Sequence, residues 1–321
     1  MYTVAMRFNE LVSDTLAGAQ IAARRNEPMA EHTTFKTGGP ADVYIQVGED
    51  ESLAAVSPLL RYARDNEIDV QIIGGGANVV VADAGIRGIT IDTRIKPKAP
   101  KIDVSRQGVF TVPAGISSNT AAELAAENSL SGLEFLAGLP GTAGGAVWMN
   151  ARCWGKSISD VLRGVDVLNE DFNVVFEPFN AEEWAYKLSP YQHRKVLILA
   201  VHFNLLAGGR GAISKQMLEY KLEREKKGHY RYPSAGSVFK NNPAFGKSAG
   251  KIIEELGLRG MRIGGARVAD WHGNFIINTG GARSSDIRAL TTAIQLEARR
   301  RLGIELENEI LFMGDWREDA L

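Results

Sequence analysis

Two glycine-rich turns constrain this chain more than any other feature. The first is Ile72-Ile73-Gly74-Gly75-Gly76-Ala77-Asn78-Val79-Val80, an apolar strand running through three glycines and an asparagine into a second apolar strand. The second is Gly138-Leu139-Pro140-Gly141-Thr142-Ala143-Gly144-Gly145-Ala146-Val147, in which four glycines, a rigid proline and a hydroxyl precede an apolar run. Glycine accepts positive φ and lets a ligand or another backbone approach closely. Successive N–H groups in such a turn can converge on one anion, for which a diphosphate is the natural guest. Taken singly, each also reads as a tight turn, because glycine marks turns far more often than ligands. Two of them, about sixty residues apart, suggest two walls around one extended, phosphate-containing cofactor. Neither fits the dinucleotide fingerprint, which needs G-x-G-x-x-G between a strand and a helix. Strands follow the first turn here, which disfavours a nicotinamide dehydrogenase.

Apolar periodicity divides the rest of the chain. The first thirty residues read as an amphipathic lead-in, followed by strand 42–47, helix 51–66, strands 70–73, 79–81 and 89–91, and a hairpin 102–104/109–112 turning at Arg106-Gln107-Gly108. Helix 120–128 with Asn119 as its cap, hairpin 165–168/174–176 and strand 196–205 complete a β-rich part. Composition changes after Gly208-Gly209-Arg210-Gly211. Helix 214–227, a Pro/Gly loop, helix 247–256, strand 274–278, helix 285–302 and strand 309–313 then form a small α+β unit. The expected domains are a lead-in 1–30, a domain 31–210 of two subdomains split near 85, and a domain 211–321.

The 37 basic and 38 acidic residues nearly cancel, so no whole-molecule field favours nucleic acid or a membrane. Cys153 is the one cysteine, which excludes an intrachain disulfide, and the histidines His32, His193, His202, His229 and His272 show no metal-site spacing. No apolar run is long enough to span a membrane and the N-terminus lacks a basic segment followed by an apolar stretch and a small-residue cleavage site, so the expectation is a cytoplasmic protein. It is separately expected to be metal-free and monomeric.

Further blocks carry a resemblance. They are His32-Thr33-Thr34-Phe35-Lys36-Thr37-Gly38-Gly39-Pro40-Ala41-Asp42, the two turns, Asn150-Ala151, Tyr186-Lys187-Leu188-Ser189, Ser234-Ala235-Gly236-Ser237-Val238-Phe239-Lys240-Asn241, Arg262-Ile263-Gly264-Gly265-Ala266 with His272 and 274–278, and Leu306-Glu307-Asn308-Glu309-Ile310. In this order they resemble the UDP-N-acetylenolpyruvoylglucosamine reductases, in the shorter of that family's two types. The resemblance implies an α+β fold: a two-subdomain FAD-binding domain of the vanillyl-alcohol-oxidase (PCMH) type plus a smaller α+β substrate-binding domain. It implies non-covalent FAD, NADPH as reductant, and reduction of UDP-N-acetylglucosamine enolpyruvate to UDP-N-acetylmuramate for peptidoglycan precursors.

Carried over by position, the resemblance places Gly74, Gly75, Gly76, Ala77, Asn78, Val79, Gly138, Pro140, Gly141, Thr142, Gly144 and Gly145 on the flavin. It places Tyr186, Lys240 and Asn241 on the substrate, and Ser237, Glu309 and Lys187 in catalysis. Ser237 matches the residue that protonates the reduced enol, and Glu309 the glutamate that assists it, with Glu307 as rival if the register slips by two. Lys187 stands where the family has arginine, keeping the charge but not the planar fork. Arg194 would substitute only if its loop folds back. Lys221, Arg224, Lys226, Lys227, His229 and Arg231 form a basic stretch that attracts UDP or, interleaved with Glu219, Glu223 and Glu225, a solvated helix face. Two alternatives stay open: another flavin oxidoreductase on the same scaffold, and an impaired homologue that binds but turns over poorly.

Overall fold

The computed structural model describes residues 21–47, 52–95, 103–104 and 108–317. The chain forms two compact units. One takes residues up to Arg25, Val43–Gly75 and Gly88–Lys221; the other takes Asn26–Asp42, Gly76–Arg87 and the chain from Leu222. The first twenty residues of the expected lead-in lie outside the described residues, and its remainder is the strand Ile21–Pro28 and the start of the 3-10 turn Met29–Glu31. The chain changes unit between 75 and 76 and between 87 and 88, so segments 26–42 and 76–87 pack with the C-terminal hundred residues, a division different from the expected lines at 85 and 210.

The first unit is built on a five-stranded antiparallel sheet in the order Val174–Pro178, Leu162–Leu168, Leu197–Asn204, Val109–Pro113, Asp103–Val104. The 169–173 turn closes as expected: Asn169 Oδ1 accepts from the N–H groups of Asp171 and Asn173 at 3.1 and 2.9 Å. Helix Ser118–Glu127 packs on this layer through Ala121, Ala122, Ala125 and Ala126, small residues that let it lie close to Phe110, Phe135 and Phe203. Each such buried ring contributes roughly 1.5–3 kcal/mol. Strand Val70–Ile73 runs parallel to Ile86–Asp92 in a four-stranded sheet, against which helix Ser57–Asp65 sets Leu59 and Ala63. The single helix expected over 51–66 is broken at Val56 into Ser52–Ala55 and Ser57–Asp65, because Pro58 has no N–H to continue the ladder.

The second unit holds a three-stranded antiparallel sheet, Arg262–Ile263, Ala266–Val268 and Ile276–Asn278, covered by helices Ala249–Glu255 and Ser284–Leu302. The long helix buries Ile287, Leu290, Thr291, Ile294 and Ala298 at helical spacing and ends at Gly303, φ +66°. At its start the Asp83 carboxylate accepts from Ser284 N–H, Ser285 N–H and Ser285 Oγ at 2.9, 3.0 and 2.6 Å. Strand Val79–Val81 pairs in parallel with Leu311–Met313. Among the described residues no helix is long and apolar enough to cross a membrane.

Candidate functional site

The two glycine turns approach each other within the first unit. A Cβ on Gly75 would sit 2.5 Å from Gly141 Cα, and one on Gly74 2.6 Å from Thr142 Oγ1. Glycine is used at both for close approach. Gly138 and Gly141 have φ of +69° and +111°, so their need for glycine is conformational. Thr142 closes the second turn: its Oγ1 accepts from Gly145 N–H at 3.1 Å and starts the short helix Ala143–Trp148. Gly144 is buried against Ala114, and a Cβ there would lie 2.8 Å from that methyl. Gly138 N–H donates to Asn119 Oδ1 at 2.9 Å, and Pro140 is exposed.

Among the described residues no protein group accepts from the main-chain N–H of Gly74, Gly75, Gly76 or Ala77 in the first turn, nor from Gly141 or Thr142 in the second. Buried donors are otherwise paired almost without exception. Consecutive free N–H groups in a Gly-lined turn make a nest suited to a diphosphate, so the residues present fit a dinucleotide-type cofactor such as FAD. In the second unit, Gly76 has φ +61°, and a Cβ there would strike His32 O at 1.9 Å. Its carbonyl accepts from Thr34 N–H and Thr34 Oγ1 at 3.0 and 3.3 Å, which gives the His32-Thr33-Thr34 block its place.

Lys187 sits at the tip of a two-residue hairpin in the first unit. Ala185 and Leu188 exchange main-chain hydrogen bonds at 3.2 and 3.1 Å. Lys187 has φ +58° and is 9% exposed, so it is not a solvated surface lysine, whereas Tyr186 beside it is 40% exposed. The hairpin is tied to the end of helix Ala143–Trp148. Ser189 Oγ and Gln192 Nε2 donate to Trp148 O at 2.7 and 2.9 Å, Gln192 Nε2 also donates to Lys187 O at 3.0 Å, and Asn150 Nδ2 donates to Ala185 O at 2.8 Å. The second glycine turn, its helix and the Lys187 hairpin are therefore one hydrogen-bonded body. Arg194 is held elsewhere, on Glu177 at 2.8 and 2.9 Å and on Glu170 at 3.0 and 3.2 Å. Its guanidinium keeps the Glu170 carboxyl below the ordinary range.

Ser237 and Glu309 lie on neighbouring segments of the second unit. Glu309 N–H donates to Val238 O at 2.7 Å, Phe239 bridges Asn308, and Lys240 N–H donates to Glu307 O at 2.9 Å. Asn78 joins the first turn to this place: its Nδ2 donates to Glu309 O at 2.9 Å, its carbonyl accepts from Leu311 N–H at 2.9 Å, and Val79 pairs with Leu311. The two glutamates part company. Glu307 is exposed and pairs with Lys240 Nζ at 2.5 Å, while Glu309 is half-buried. Regular strand begins only at Leu311, two residues after the expected start at 309. Asn241 Oδ1 accepts from Ala249 N–H at 2.9 Å.

Of the basic stretch, Lys221 pairs with Glu123 at 3.0 Å in the first unit, and Lys227 with Glu223 at 3.4 Å in the second. The second is an i,i+4 pair of the laced-helix kind, whereas Lys221 reaches across to a glutamate of helix Ser118–Glu127. Cys153 Sγ lies 2.9 Å from Phe135 O.

Residues 228–313 match the family model "UDP-N-acetylenolpyruvoylglucosamine reductase, C-terminal domain", and residues 42–175 match "FAD binding domain". The UDP-N-acetylenolpyruvoylglucosamine reductase of Treponema denticola is 41% identical over 304 residues, covering 90% of this chain and 93% of the relative. The chain belongs to the UDP-N-acetylenolpyruvoylglucosamine reductase family. The reductase of Borreliella burgdorferi is 37% identical over 286 residues, with 89% and 93% covered. The crystal structure of the Thermus caldophilus reductase (MurB) superposes with a TM-score of 0.72 at 31% identity, over 91% of this chain and 99% of that one. Both glycine turns fall inside the FAD-binding match, and Ser237 and Glu309 inside the reductase-specific one. The α+β fold with a PCMH-type FAD domain stands as expected, with FAD as the reductase family's cofactor and NADPH as its reductant.

The residues missed in sequence are the amides. Asn119, expected as a helix cap, instead holds Gly138; Ser117 is the cap, accepting from Thr120 N–H at 2.9 Å. Asn150 and Asn274 are 3% exposed and hold the segments that carry Lys187 and Ser237. Their presence in the family blocks was the only available signal.

Proposed function

We propose that this chain reduces UDP-N-acetylglucosamine enolpyruvate to UDP-N-acetylmuramate with NADPH, through bound FAD, in the cytoplasm and as a monomer. In balance, the C=C bond of the enolpyruvyl ether takes a hydride at its terminal carbon and a proton at the carbon bearing the carboxylate. The hydride is the chemistry that FAD, when bound and with NADPH as reductant, would supply. The chain's own residues supply position, charge and the proton.

The free N–H groups of Gly74, Gly75, Gly141 and Thr142 in the first unit would hold the diphosphate of FAD. Ser237 Oγ gives its proton to the substrate carbon as negative charge develops there. Glu309, half-buried on the neighbouring segment, stabilises the same charge. Lys187, buried at the tip of its hairpin, meets the substrate carboxylate. Lys240 and Asn241 bind the substrate's phosphates, Lys240 exchanging Glu307 for them, and Tyr186 contacts the same substrate. The first unit then serves the flavin and the second the proton donors.

The observation that carries the reading is the Glu309 N–H to Val238 O bond of 2.7 Å, which sets the two proton-handling residues on adjoining main chain. Single-turnover reoxidation of the reduced flavin by the enolpyruvyl substrate tests it. Ser237→Ala is expected to slow that step by about 10²–10⁴-fold while flavin reduction by NADPH is unchanged. Wild-type protein whose reduced flavin ignores the enolpyruvyl sugar but is reoxidised by oxygen during sugar oxidation has a different activity.

A further inference from the structure

Between strands Ala266–Val268 and Ile276–Asn278 the chain closes a compact loop, with Ala269 N–H donating to Phe275 O at 2.8 Å and Phe275 N–H to His272 O at 3.1 Å. Inside it, Asn274 N–H donates to His272 Nδ1 at 3.1 Å. That bond requires Nδ1 to be unprotonated, so the neutral ring carries its proton on Nε2.

Asn274 then makes the polar contacts of the Ser237 segment. Its carbonyl accepts from Val238 N–H at 2.9 Å, its Oδ1 from Phe239 N–H at 2.9 Å, and its Nδ2 donates to Phe239 O at 2.8 Å. Ser237 itself bridges Phe275, and Val238 O receives Glu309 N–H. One ring nitrogen thus holds the main-chain N–H of Asn274, the residue whose carbonyl and side chain fix the segment between the two proton-handling residues.

The surroundings hold the ring neutral. His272 stacks on Phe275 at 4.2 Å, and His229 meets the same ring edge-on at 4.8 Å. Helix Ala249–Glu255 approaches it at Gly250, where a Cβ would be 3.3 Å from Cε1. Burial, which dominates, together with Arg259 and Lys227 disfavours a charge on His272, against the pull of Glu254. Glu254 is itself paired with Arg259.

We propose that His272 is a positioning residue for proton delivery, its unprotonated Nδ1 holding Asn274 and, through it, the Ser237–Phe239 segment. Protonation places a hydrogen where Asn274 N–H now donates and breaks the chain of contacts at its first link. Proton delivery then falls in acid with the titration of His272. The inference rests on the reading of Ser237 given above.

Two variants of the FAD-loaded enzyme test it, by single-turnover reoxidation from pH 5 to 9. His272→Asn puts a non-titrating oxygen near the place of Nδ1, and His272→Phe keeps a ring and removes the acceptor. His272→Asn is expected to stay within about 3-fold of wild type at pH 8 and to lose the acid limb. His272→Phe is expected to lose about 10–100-fold in turnover at every pH, with KM within about 3-fold. A His272→Asn enzyme with the wild-type acid limb, or a His272→Phe enzyme turning over normally, overturns the proposal. Should the Phe variant not fold, ¹⁵N NMR of the wild-type imidazole decides: the Nε2–H tautomer is expected, and Nδ1–H refutes. An unimpaired Ser237→Ala refutes the underlying reading instead, whatever the His272 variants do.

Discussion

Gly75→Ala puts one methyl group where the two glycine turns meet. Its Cβ would be 2.5 Å from Gly141 Cα and 3.1 Å from Gly141 N and C. Ordinary carbon contacts are about 3.5–4.0 Å, so the turns must part by roughly 1 Å. Every atom in the way is main chain, and no side chain can rotate aside. Overpacking of this kind costs typically about 1–3 kcal/mol, equivalent to about 5–150-fold in the FAD dissociation constant if the loss falls on the nest geometry. Gly74→Ala is expected to be milder. Its Cβ meets the Thr142 hydroxyl at 2.6 Å, which can turn away at the loss of the Gly145 hydrogen bond, about 1 kcal/mol. Gly209→Ala is the control, with nothing within 4 Å of the added carbon. Flavin content after gel filtration and fluorescence titration of the apoprotein measure the order. Gly75→Ala protein that holds FAD as tightly as Gly209→Ala, or a Gly74 variant worse than Gly75, refutes the reasoning.

Lys187→Met should lose about 10–150-fold in kcat/KM for the enolpyruvyl substrate, the value of a charge-assisted hydrogen bond, while Lys187→Arg keeps activity; a fully active Met variant excludes a carboxylate partner. Burial would raise the Asp83 carboxyl, but the hydrogen bonds from Ser285 and Ser284 prevail and its pKa is lowered. The stability it contributes is therefore present above the unfolded carboxylate pKa and lost as pH falls through the folded value. Asp83→Asn should lower the urea midpoint at pH 7 by the equivalent of about 1 kcal/mol, with the difference shrinking toward pH 3. Burial, with Arg224 and His272 adding to it, pushes His229 down to about 4. Its neutral form is the folded one, so stability is full above about pH 6.5 and falls as pH drops toward 4, by up to about 3 kcal/mol. His229→Phe should flatten the urea midpoint between pH 7 and 5, and an equally steep variant would show that another group titrates.

Much of the fold was legible where one physical signal dominates. Strands 70–73 and 79–81 have the expected bounds, because an apolar run cut by glycines leaves little choice. Helix Arg210–Lys226 begins four residues earlier than its apolar spacing suggested. The glycines read as a boundary there are tolerated, since Gly211 costs only about 1 kcal/mol inside a helix and touches nothing within 4 Å. Helix Ala143–Trp148 was invisible for the opposite reason: Gly144 argues locally for a turn, yet it serves packing on Ala114. The demand comes from a residue thirty positions away, and no local pattern records it.

Sequence offers candidate reactive groups for the site but no sign of what positions them. A serine, a glutamate and a lysine in ordered blocks name a chemistry, but an asparagine has no pattern of its own, and its two-sided amide reveals its use only when both partners are known. Asn150 has φ +40° and is buried, with Nδ2 on Ala185 O and Oδ1 receiving Ser159 N–H at 3.1 Å. Asn is among the few side chains that tolerate such a backbone, so conformation and hydrogen bonding demand the same residue. Asn274 likewise satisfies both main-chain groups of Phe239 at once. Aspartate in either place would keep the acceptor, lose the donor and set a charge against a carbonyl. Such residues fix the segments that carry Lys187 and Ser237, and a reading that weighs only titratable side chains passes over them.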